Sequence, residues 1–365
     1  MYKSLQAGRA IAAILVVLFH LGIAISADKY FGITAFSIPF SFGGAGVNFF
    51  FVLSGFIILT AHRNDIFQPR QLKSYIKKRL IRIYPTYWII FLSVFFLALA
   101  SAALRNTVPH NAFILLKSLF LIPQDIGAPV IIVAWTLQYE MLFYLFFAFL
   151  ILSRWLSIIA VLAFIYIYIN YHGAPLLPLP LLFLSSDNIL LFVMGMAVSV
   201  TCTSKIAAMK NKPVFYTSVG IVGVMLFLLL ALSTVTDKSY ASTNGINRLI
   251  AWQNLLYGLA SSLIIFCLVK AEDEGHIIGG HGGLQLLGNS SYALYLIHYP
   301  LISVLCKLSL LIQLNKFGVT GAMIAYIIIF GICLLSSVVF FLWIEKPVIT
   351  YLRNRPINIL QNPSA

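Results

Sequence analysis

The first hydrophobic run of the chain, residues 6–26, contains two ionisable side chains, Arg9 and His20. A run of about 20 apolar residues is long enough to cross a bilayer as an α-helix. The eleven steps from Arg9 to His20 make roughly three helical turns, so both side chains lie on one stripe, roughly 16 Å apart along the axis. Intramembrane ionisable residues face protein or water and are commonly functional. The alternatives are a basic residue that extends to the membrane surface for Arg9 and a structural histidine for His20.

A carboxylate, Glu140, interrupts another apolar run, residues 133–153. If this run enters from the outer face, Glu140 lies about 10 Å below that face, a depth that His20 reaches from the opposite side. A carboxylate next to an imidazole can form a general-base pair in which the acid orients the ring. We therefore expect His20 to be the base and Glu140 its partner. The alternative is a buried Glu140 paired with an arginine for structural reasons.

The most charged part of the chain precedes residue 84 and includes Lys78, Arg79 and Arg82. Two arginines three residues apart share one face of a helix. Because guanidinium groups bind phosphate bidentately, this pair suits a phosphorylated ligand that enters from the cytosol. Basic residues beside a membrane also interact with anionic lipid, and the spacing alone slightly favours that second interpretation.

Two further apolar runs contain polar side chains. Ser54, in residues 43–61, can either hydrogen-bond to another helix or line a cavity. His298 is a second imidazole within a membrane run, and Tyr295 precedes it by three residues on the same arc of the helix. The sequence favours neither a functional nor a structural interpretation of His298 over the other.

The composition predicts the fold class. Of 365 residues, 61% are hydrophobic and 9% are charged, and the mean hydropathy is +0.97. Because soluble domains carry about 25% charged residues, the chain is expected to be an all-α polytopic membrane protein with one domain, residues 1–365. The net charge of +14 is typical of basic cytoplasmic loops, and we expect no nucleic-acid partner. The four cysteines and the scattered histidines show no metal-binding spacing. Arg9 and His20 also argue against a cleaved signal peptide over residues 1–27.

We predict ten membrane spans, and the distribution of lysine and arginine between the loops predicts that both termini are cytoplasmic. Residues 112–122 are apolar but short, so they are interfacial, re-entrant or an eleventh span. The predicted spans are 6–26, 43–61, 84–103, 133–153, 155–171, 187–203, 214–233, 249–269, 290–311 and 319–343.

Taken in order, these stretches resemble the acyltransferase family 3 membrane proteins, bacterial O-acyltransferases that modify exported polysaccharide and lipopolysaccharide. Each motif is weak alone, but the ordered set is specific and covers residues 6 to about 347. The motifs are Arg9 with ten residues before His20, Phe50-Phe51-x-x-Ser54-Gly55, Arg79-x-x-Arg82 followed by Tyr84-Pro85, Trp135 to Tyr144 around Glu140, and Ser291-Tyr292-x-x-Tyr295-Leu296-x-His298. The opening residues 5–13 are most similar to the exopolysaccharide-type acetyltransferases.

The resemblance implies a bacterial cytoplasmic-membrane enzyme that moves an acetyl group from cytosolic acetyl-CoA to a sugar hydroxyl near the outer face. It implies acyl-CoA as a co-substrate without a permanently bound cofactor, and a glycan or lipid-linked glycan as the acceptor within membrane lipid. The oligomeric state stays open. His20 and Glu140 are then the expected catalytic residues. The expected donor-binding residues are Arg9, Arg79, Arg82, Lys78 and Ser54, and those on the acceptor side or in support are Trp135, Tyr144, Tyr295 and His298.

The runner-up class is a transporter or flippase for a glycan precursor, since intramembrane ionisable residues also mark transport paths. The sequence shows no inverted repeat and no matched pair of interrupted helices, which such transporters commonly have. Coenzyme A binding separates the two classes, because only the acyltransferase requires it.

Overall fold

The structure is a computed structural model that describes residues 2–100, 111–123, 129–173, 177–204, 213–236 and 251–354. In these ranges the regular elements are all helical, and ten helices are long and apolar enough to cross a membrane. The predicted fold class and number of spans are therefore confirmed. The helices are α1 (Lys3–Ser26), α2 (Ala45–His62), α3 (Leu72–Ala100), α4 (Ala112–Leu119), α5 (Trp135–Leu152), α6 (Arg154–Tyr171), α7 (Leu179–Leu184), α8 (Asn188–Thr203), α9 (Pro213–Thr236), α10 (Ala251–Asp273), α11 (Gly282–Asn289), α12 (Ser291–Leu311), α13 (Gly318–Phe340) and α14 (Lys346–Asn354).

The first turn of α1 is capped by the end of α10. The carboxylate of Glu272 accepts hydrogen bonds from the backbone N–H groups of Lys3 and Ser4, at 2.8 and 2.7 Å. The hydroxyl of Tyr2 donates to Asp273, and burial together with this contact raises the pKa of Tyr2 to about 12. Because the first N–H groups of a helix have no partner within it, Glu272 satisfies two of them, and both carboxylates complement the helix dipole.

The basic segment predicted to precede the third span is part of that span. Helix α3 runs without interruption from Leu72 through Pro85 to Ala100. Arg79 and Arg82 are therefore fixed to the same rigid rod that crosses the membrane. Their side chains reach a cavity between the helices, and the hydropathy of residues 72–83 alone could not show this.

Residues 112–122 do not form an eleventh span. Helix α4 has eight residues, about 12 Å of helix, which is less than half of a bilayer core. The chain after it reaches the middle of α3, where Tyr84 and Trp88 donate to the carbonyls of Phe120 and Leu119. Side-chain donors from α3 thus satisfy backbone carbonyls where the short helix ends. The described residues 111–123 exclude the eleventh span and keep the interfacial and re-entrant interpretations.

Helices α2 and α8 approach closely because each has a glycine at the crossing. A Cβ atom on Gly55 would meet the carbonyl oxygen of Phe192, and one on Gly195 would meet that of Val52. Small residues at such contacts bring helix backbones together in lipid, where close packing replaces the hydrophobic effect between helices. This contact fixes α2, whose other faces carry Ser54 and His62.

Candidate active site

One cavity, of about 870 Å³, opens between α1, α2, α3, α5 and α12. This volume falls in the usual range for small-molecule sites. Its wall changes from basic at one end to aromatic at the other, where Phe50, Phe51 and Tyr295 lie. Among the described residues, six basic side chains line it against a single carboxylate, Glu140; the basic side chains are Arg9, Lys77, Lys78, Arg79, Arg82 and Arg353.

Arg9 faces this cavity and is almost fully buried, at 8% exposure. Its guanidinium donates to the side-chain oxygen of Gln6 at 3.1 Å, one turn earlier on α1. A buried cation in a cavity wall differs from a basic residue that extends to the membrane surface. The alternative interpretation of Arg9 therefore does not describe its position.

Arg79 and Arg82 lie next to each other on the cavity wall, and aromatic rings hold both. The Arg79 guanidinium lies 5.8 Å from the centre of the Tyr75 ring and 5.7 Å from that of Tyr144. The Arg82 guanidinium lies 5.4 Å from the centre of the Tyr292 ring. Cation–π contacts of this kind fix a guanidinium without neutralising it. Both guanidinium groups are therefore held against aromatic rings at the basic end.

Arg82 has an acidic neighbour that the sequence did not mark as functional. Glu345 lies 3.8 Å from the Arg82 side chain and is only 1% exposed. It ends a π-helical turn, Phe341–Glu345, between α13 and α14. Such turns often occur at functional sites, because the extra residue changes where a side chain points.

Glu140 is held within the cavity by two hydroxyl groups. Ser54 donates to its Oε1 atom at 3.3 Å, and the Tyr144 hydroxyl donates to the same atom. Ser54 therefore both bonds across helices and lines the cavity. Tyr144, expected near the acceptor or in support, lies between Glu140 and Arg79 at the basic end.

The His20 ring lies within hydrogen-bond distance of His298 and packs edge-on against Tyr299. The Nε2 atom of His298 lies 3.1 Å from Nδ1 of His20, and the ring centres are 5.0 Å apart. Nδ1 of His20 also lies 3.0 Å from the carbonyl oxygen of Val16, and Nδ1 of His298 lies 3.0 Å from that of Leu294.

These partners assign the protons of both rings. A carbonyl only accepts, so Nδ1 carries the hydrogen in His20 and in His298. The neutral His298 then presents a lone pair on Nε2 toward the Nδ1–H of His20, so this hydrogen is shared between His298 and the Val16 carbonyl. Nε2 of His20 has no hydrogen-bond partner among the described residues and keeps its lone pair, which is what a general base or nucleophile requires.

The predicted pairing of His20 with Glu140 is wrong in this structure. Glu140 bonds to Ser54 and Tyr144, whereas His20 bonds to Val16 and His298. The depth argument concerns only positions along the membrane normal and says nothing of the direction in which each helix faces. His20 faces α12, and the aromatic end of the cavity separates it from Glu140.

Tyr295 is the side chain that connects the cavity to the histidine pair. It lines the cavity, its ring centre lies 5.7 Å from that of His298, and its hydroxyl accepts from Thr136 at 2.8 Å. Phe50 packs on the other side of Tyr295, with ring centres 6.5 Å apart. The end of the cavity is therefore one aromatic layer away from His298 and its partner His20.

Trp135 does not line the cavity. Its side chain is 39% exposed and packs edge-on against Phe51 and Tyr139. Lys78, by contrast, lines the basic end as expected for a donor-side residue. Across the described ranges, no three His, Cys, Asp or Glu side chains are grouped so that they could hold a metal ion.

The structure thus combines membrane-spanning helices with a basic cavity that leads to a pair of histidines. Comparison with known proteins gives the class to which this protein belongs. The chain belongs to the acyltransferase family: the family model described as an acyltransferase domain matches residues 2–342. The protein is therefore a polytopic membrane acyltransferase.

The chain is also similar to the exopolysaccharide production protein ExoZ of Rhizobium meliloti (strain 1021). The two are 35% identical over 117 residues, which is 30% of this chain and 34% of ExoZ. The match thus covers about a third of the curated relative. No solved structure matches the chain.

Proposed function

We propose that this protein transfers a short acyl group, acetyl in the simplest case, from acyl-CoA to a hydroxyl of an exported or lipid-linked glycan. The main support for this proposal is the distribution of charged and aromatic side chains along the cavity. Six cations stand at and inside one end, and aromatic side chains lead from the other end to a pair of neutral imidazoles. A ligand with phosphates at one end and a reactive acyl group at the other is complementary to this gradient.

The donor would enter from the basic end, on the side predicted to be cytoplasmic. Arg79 and Arg82 would bind its phosphates, and Lys78 would add positive charge next to them. His20 lies eleven residues beyond Arg9 on α1, about 16 Å further along the helix. The pantetheine arm of acyl-CoA is the part of the donor that would cover this distance, passing Arg9, Ser54 and the aromatic layer at Tyr295.

Two chemical routes use the same groups. In direct transfer, Nε2 of His20 takes the proton of the acceptor hydroxyl, whose oxygen attacks the thioester carbonyl. The carbon–sulfur bond then breaks, and the thiolate of coenzyme A takes the proton from His20. In the covalent route, Nε2 attacks the thioester carbonyl first, the carbon–sulfur bond breaks, and coenzyme A leaves as the thiolate. The acceptor oxygen then attacks the acyl-imidazolium, the carbon–nitrogen bond breaks to release His20, and the proton of the acceptor hydroxyl passes to the thiolate. His298 stabilises the ring orientation of His20 in both.

The acceptor class rests on the relative rather than on the cavity. ExoZ is named for exopolysaccharide production, and it shares 35% identity with this chain over the matched third. By that likeness we propose a polysaccharide, lipopolysaccharide or lipid-linked glycan as the acceptor, and the bacterial cytoplasmic membrane as the location.

The test is binding of acetyl-CoA to the detergent-purified protein, followed by thermal unfolding. A ligand that binds the native state raises the apparent midpoint by mass action. We expect wild type and His20→Ala to be stabilised, and Arg79→Ala/Arg82→Ala not to be. Absence of any shift at saturating acetyl-CoA in folded wild type would remove the donor from the proposal and favour transport of a glycan precursor.

A further inference from the structure

The last residue of α2, His62, lies between Asp65 and Arg79 and is 2% exposed. Its Nδ1 atom is 2.6 Å from a carboxylate oxygen of Asp65. Its Nε2 atom is 2.8 Å from the NH2 nitrogen of Arg79. One imidazole thus bridges a carboxylate and an arginine of the cavity wall.

This arrangement works in only one protonation state of the imidazole. A guanidinium donates hydrogen bonds and accepts none, so Nε2 of His62 must present its lone pair to Arg79. The hydrogen of the neutral ring is then on Nδ1, which donates to Asp65. The carboxylate therefore selects the tautomer that can accept from Arg79.

With His62 as acceptor, Arg79 is fixed from three directions. The Tyr75 and Tyr144 rings lie against the guanidinium, and Tyr75 also packs edge-on against His62 at 5.0 Å. A long side chain that is already ordered before binding loses less freedom when a ligand arrives. Neither His62 nor Asp65 lines the cavity, so neither is placed to touch a bound donor.

We propose that His62 and Asp65 are positioning residues that hold Arg79 ready for the phosphates of the donor. This inference rests on the proposed function, in which Arg79 binds acyl-CoA. A merely structural role for His62, which would tie the end of α2 to α3, predicts a change in folding stability. The positioning role predicts a change in donor affinity that depends on the presence of Arg79.

The test measures the dissociation constant of coenzyme A for the full-length protein in detergent, together with the midpoint of unfolding without ligand. We expect His62→Leu to weaken binding about tenfold, since the hydrogen bond that it removes is made to a charged group. His62→Gln should stay within about threefold of wild type, because its amide oxygen can accept from Arg79. His276→Leu is the matched control, because His276 is exposed and should leave the dissociation constant unchanged.

The double variant His62→Leu/Arg79→Ala separates positioning from structure. If His62 acts through Arg79, the double variant binds coenzyme A no more weakly than Arg79→Ala alone. The positioning role is overturned if the losses of binding free energy in the two single variants add in the double variant. It is also overturned if His62→Leu binds coenzyme A as tightly as wild type. Should His62→Leu fail to fold, Asp65→Ala decides the matter, because Asp65 is 23% exposed and its loss leaves no buried void. We expect Asp65→Ala to bind coenzyme A about threefold more weakly than wild type, and an unchanged dissociation constant overturns the proposal.

Failure of the proposed function gives a different result. If wild type does not bind coenzyme A, both the donor assignment and the positioning role are wrong. If wild type binds and Arg79→Ala binds equally well, the donor lies elsewhere and the role of His62 is overturned with it. If Arg79→Ala weakens binding of coenzyme A but the His62 and Asp65 variants bind like wild type, the proposed function stands and the positioning role alone is rejected.

Discussion

Nε2 of His298 lies 3.1 Å from Nδ1 of His20, so the imidazole proposed to do the chemistry is oriented by a second imidazole. His298 is completely buried, and its own Nδ1 is tied to the Leu294 carbonyl one turn earlier on α12. Its Nε2 lone pair is therefore fixed in direction. Orientation of a base by a second hydrogen-bonded group is the usual logic of such sites, and here the second group is neutral.

This relationship predicts a graded response at position 298. His298→Leu removes one of the two acceptors of the His20 N–H, leaving the Val16 carbonyl, and with it the side chain that holds the ring; it should lower kcat by about 100-fold, within the range that positioned general bases contribute. KM for acetyl-CoA should change little, because His298 does not line the cavity. His298→Gln, whose amide oxygen can accept in the place of Nε2, should recover part of the loss. Steady-state kinetics of acyl transfer measure both constants, and equal activities for the Leu and Gln variants would contradict the orienting role.

We also expect Glu140 to contribute to catalysis independently of the histidine pair. Glu140 shares no hydrogen-bond partner with His20 or His298 in the described structure. The effects of Glu140→Gln and His298→Gln on kcat/KM should therefore add to within about 0.5 kcal/mol in the double variant. A coupling free energy above about 1 kcal/mol would show instead that Glu140 and the imidazoles act as one unit, as the sequence first suggested.

Glu345 is expected to influence donor binding through Arg82. Glu345→Gln removes the carboxylate 3.8 Å from Arg82 and should raise KM for acetyl-CoA about fivefold while kcat stays unchanged, because one of two phosphate-binding groups loses its fixed position. The midpoint of unfolding should fall little. Arg82 is 32% exposed and stays solvated when its counter-charge is removed.

The exposed Glu274 offers a matched control for this substitution. Glu274→Gln should match wild type in KM, kcat and midpoint. A Glu345→Gln variant with wild-type KM would show that the π-helical turn has no part in donor binding.

Much of the fold and part of the site could be predicted from the chain alone. Apolar runs long enough to cross a membrane determine the ten spans, since lipid leaves the backbone few alternatives to helices. The sequence also marked Arg9, Ser54, Arg79, Arg82 and Glu140, and the structure brings all five to one cavity. Ionisable and polar groups within apolar helices are costly, so their positions along the sequence carry information.

The partners of those groups could not be predicted, for a geometric reason. Hydropathy gives the depth of a residue but neither the order of helices around the bundle nor the rotation of each helix. His20 was therefore assigned to Glu140, at a similar depth, when its partner is His298 on α12. His62 and Asp65 gave no signal at all, because a histidine and an aspartate beside a basic loop are ordinary surface composition.

The cap of α1 allows a prediction about stability that is separate from catalysis. Glu272 accepts from the N–H groups of Lys3 and Ser4, and it lies at the end of α10, away from the cavity. Glu272→Ala leaves these donors without their acceptor and removes a negative charge at the positive end of the helix dipole. The loss should be about 1 kcal/mol of unfolding free energy, as for other helix caps.

The measurement is the midpoint of thermal unfolding in detergent, read together with KM for acetyl-CoA. The midpoint should fall while KM stays at the wild-type value, because Arg9 and Gln6 are held further along α1 by its own helical hydrogen bonds. Glu274→Ala, two residues away on an exposed position, serves as the control and should leave the midpoint unchanged. A rise in KM without loss of stability would instead show that the start of α1 takes part in donor binding, and the boundary of the site would then extend to Glu272.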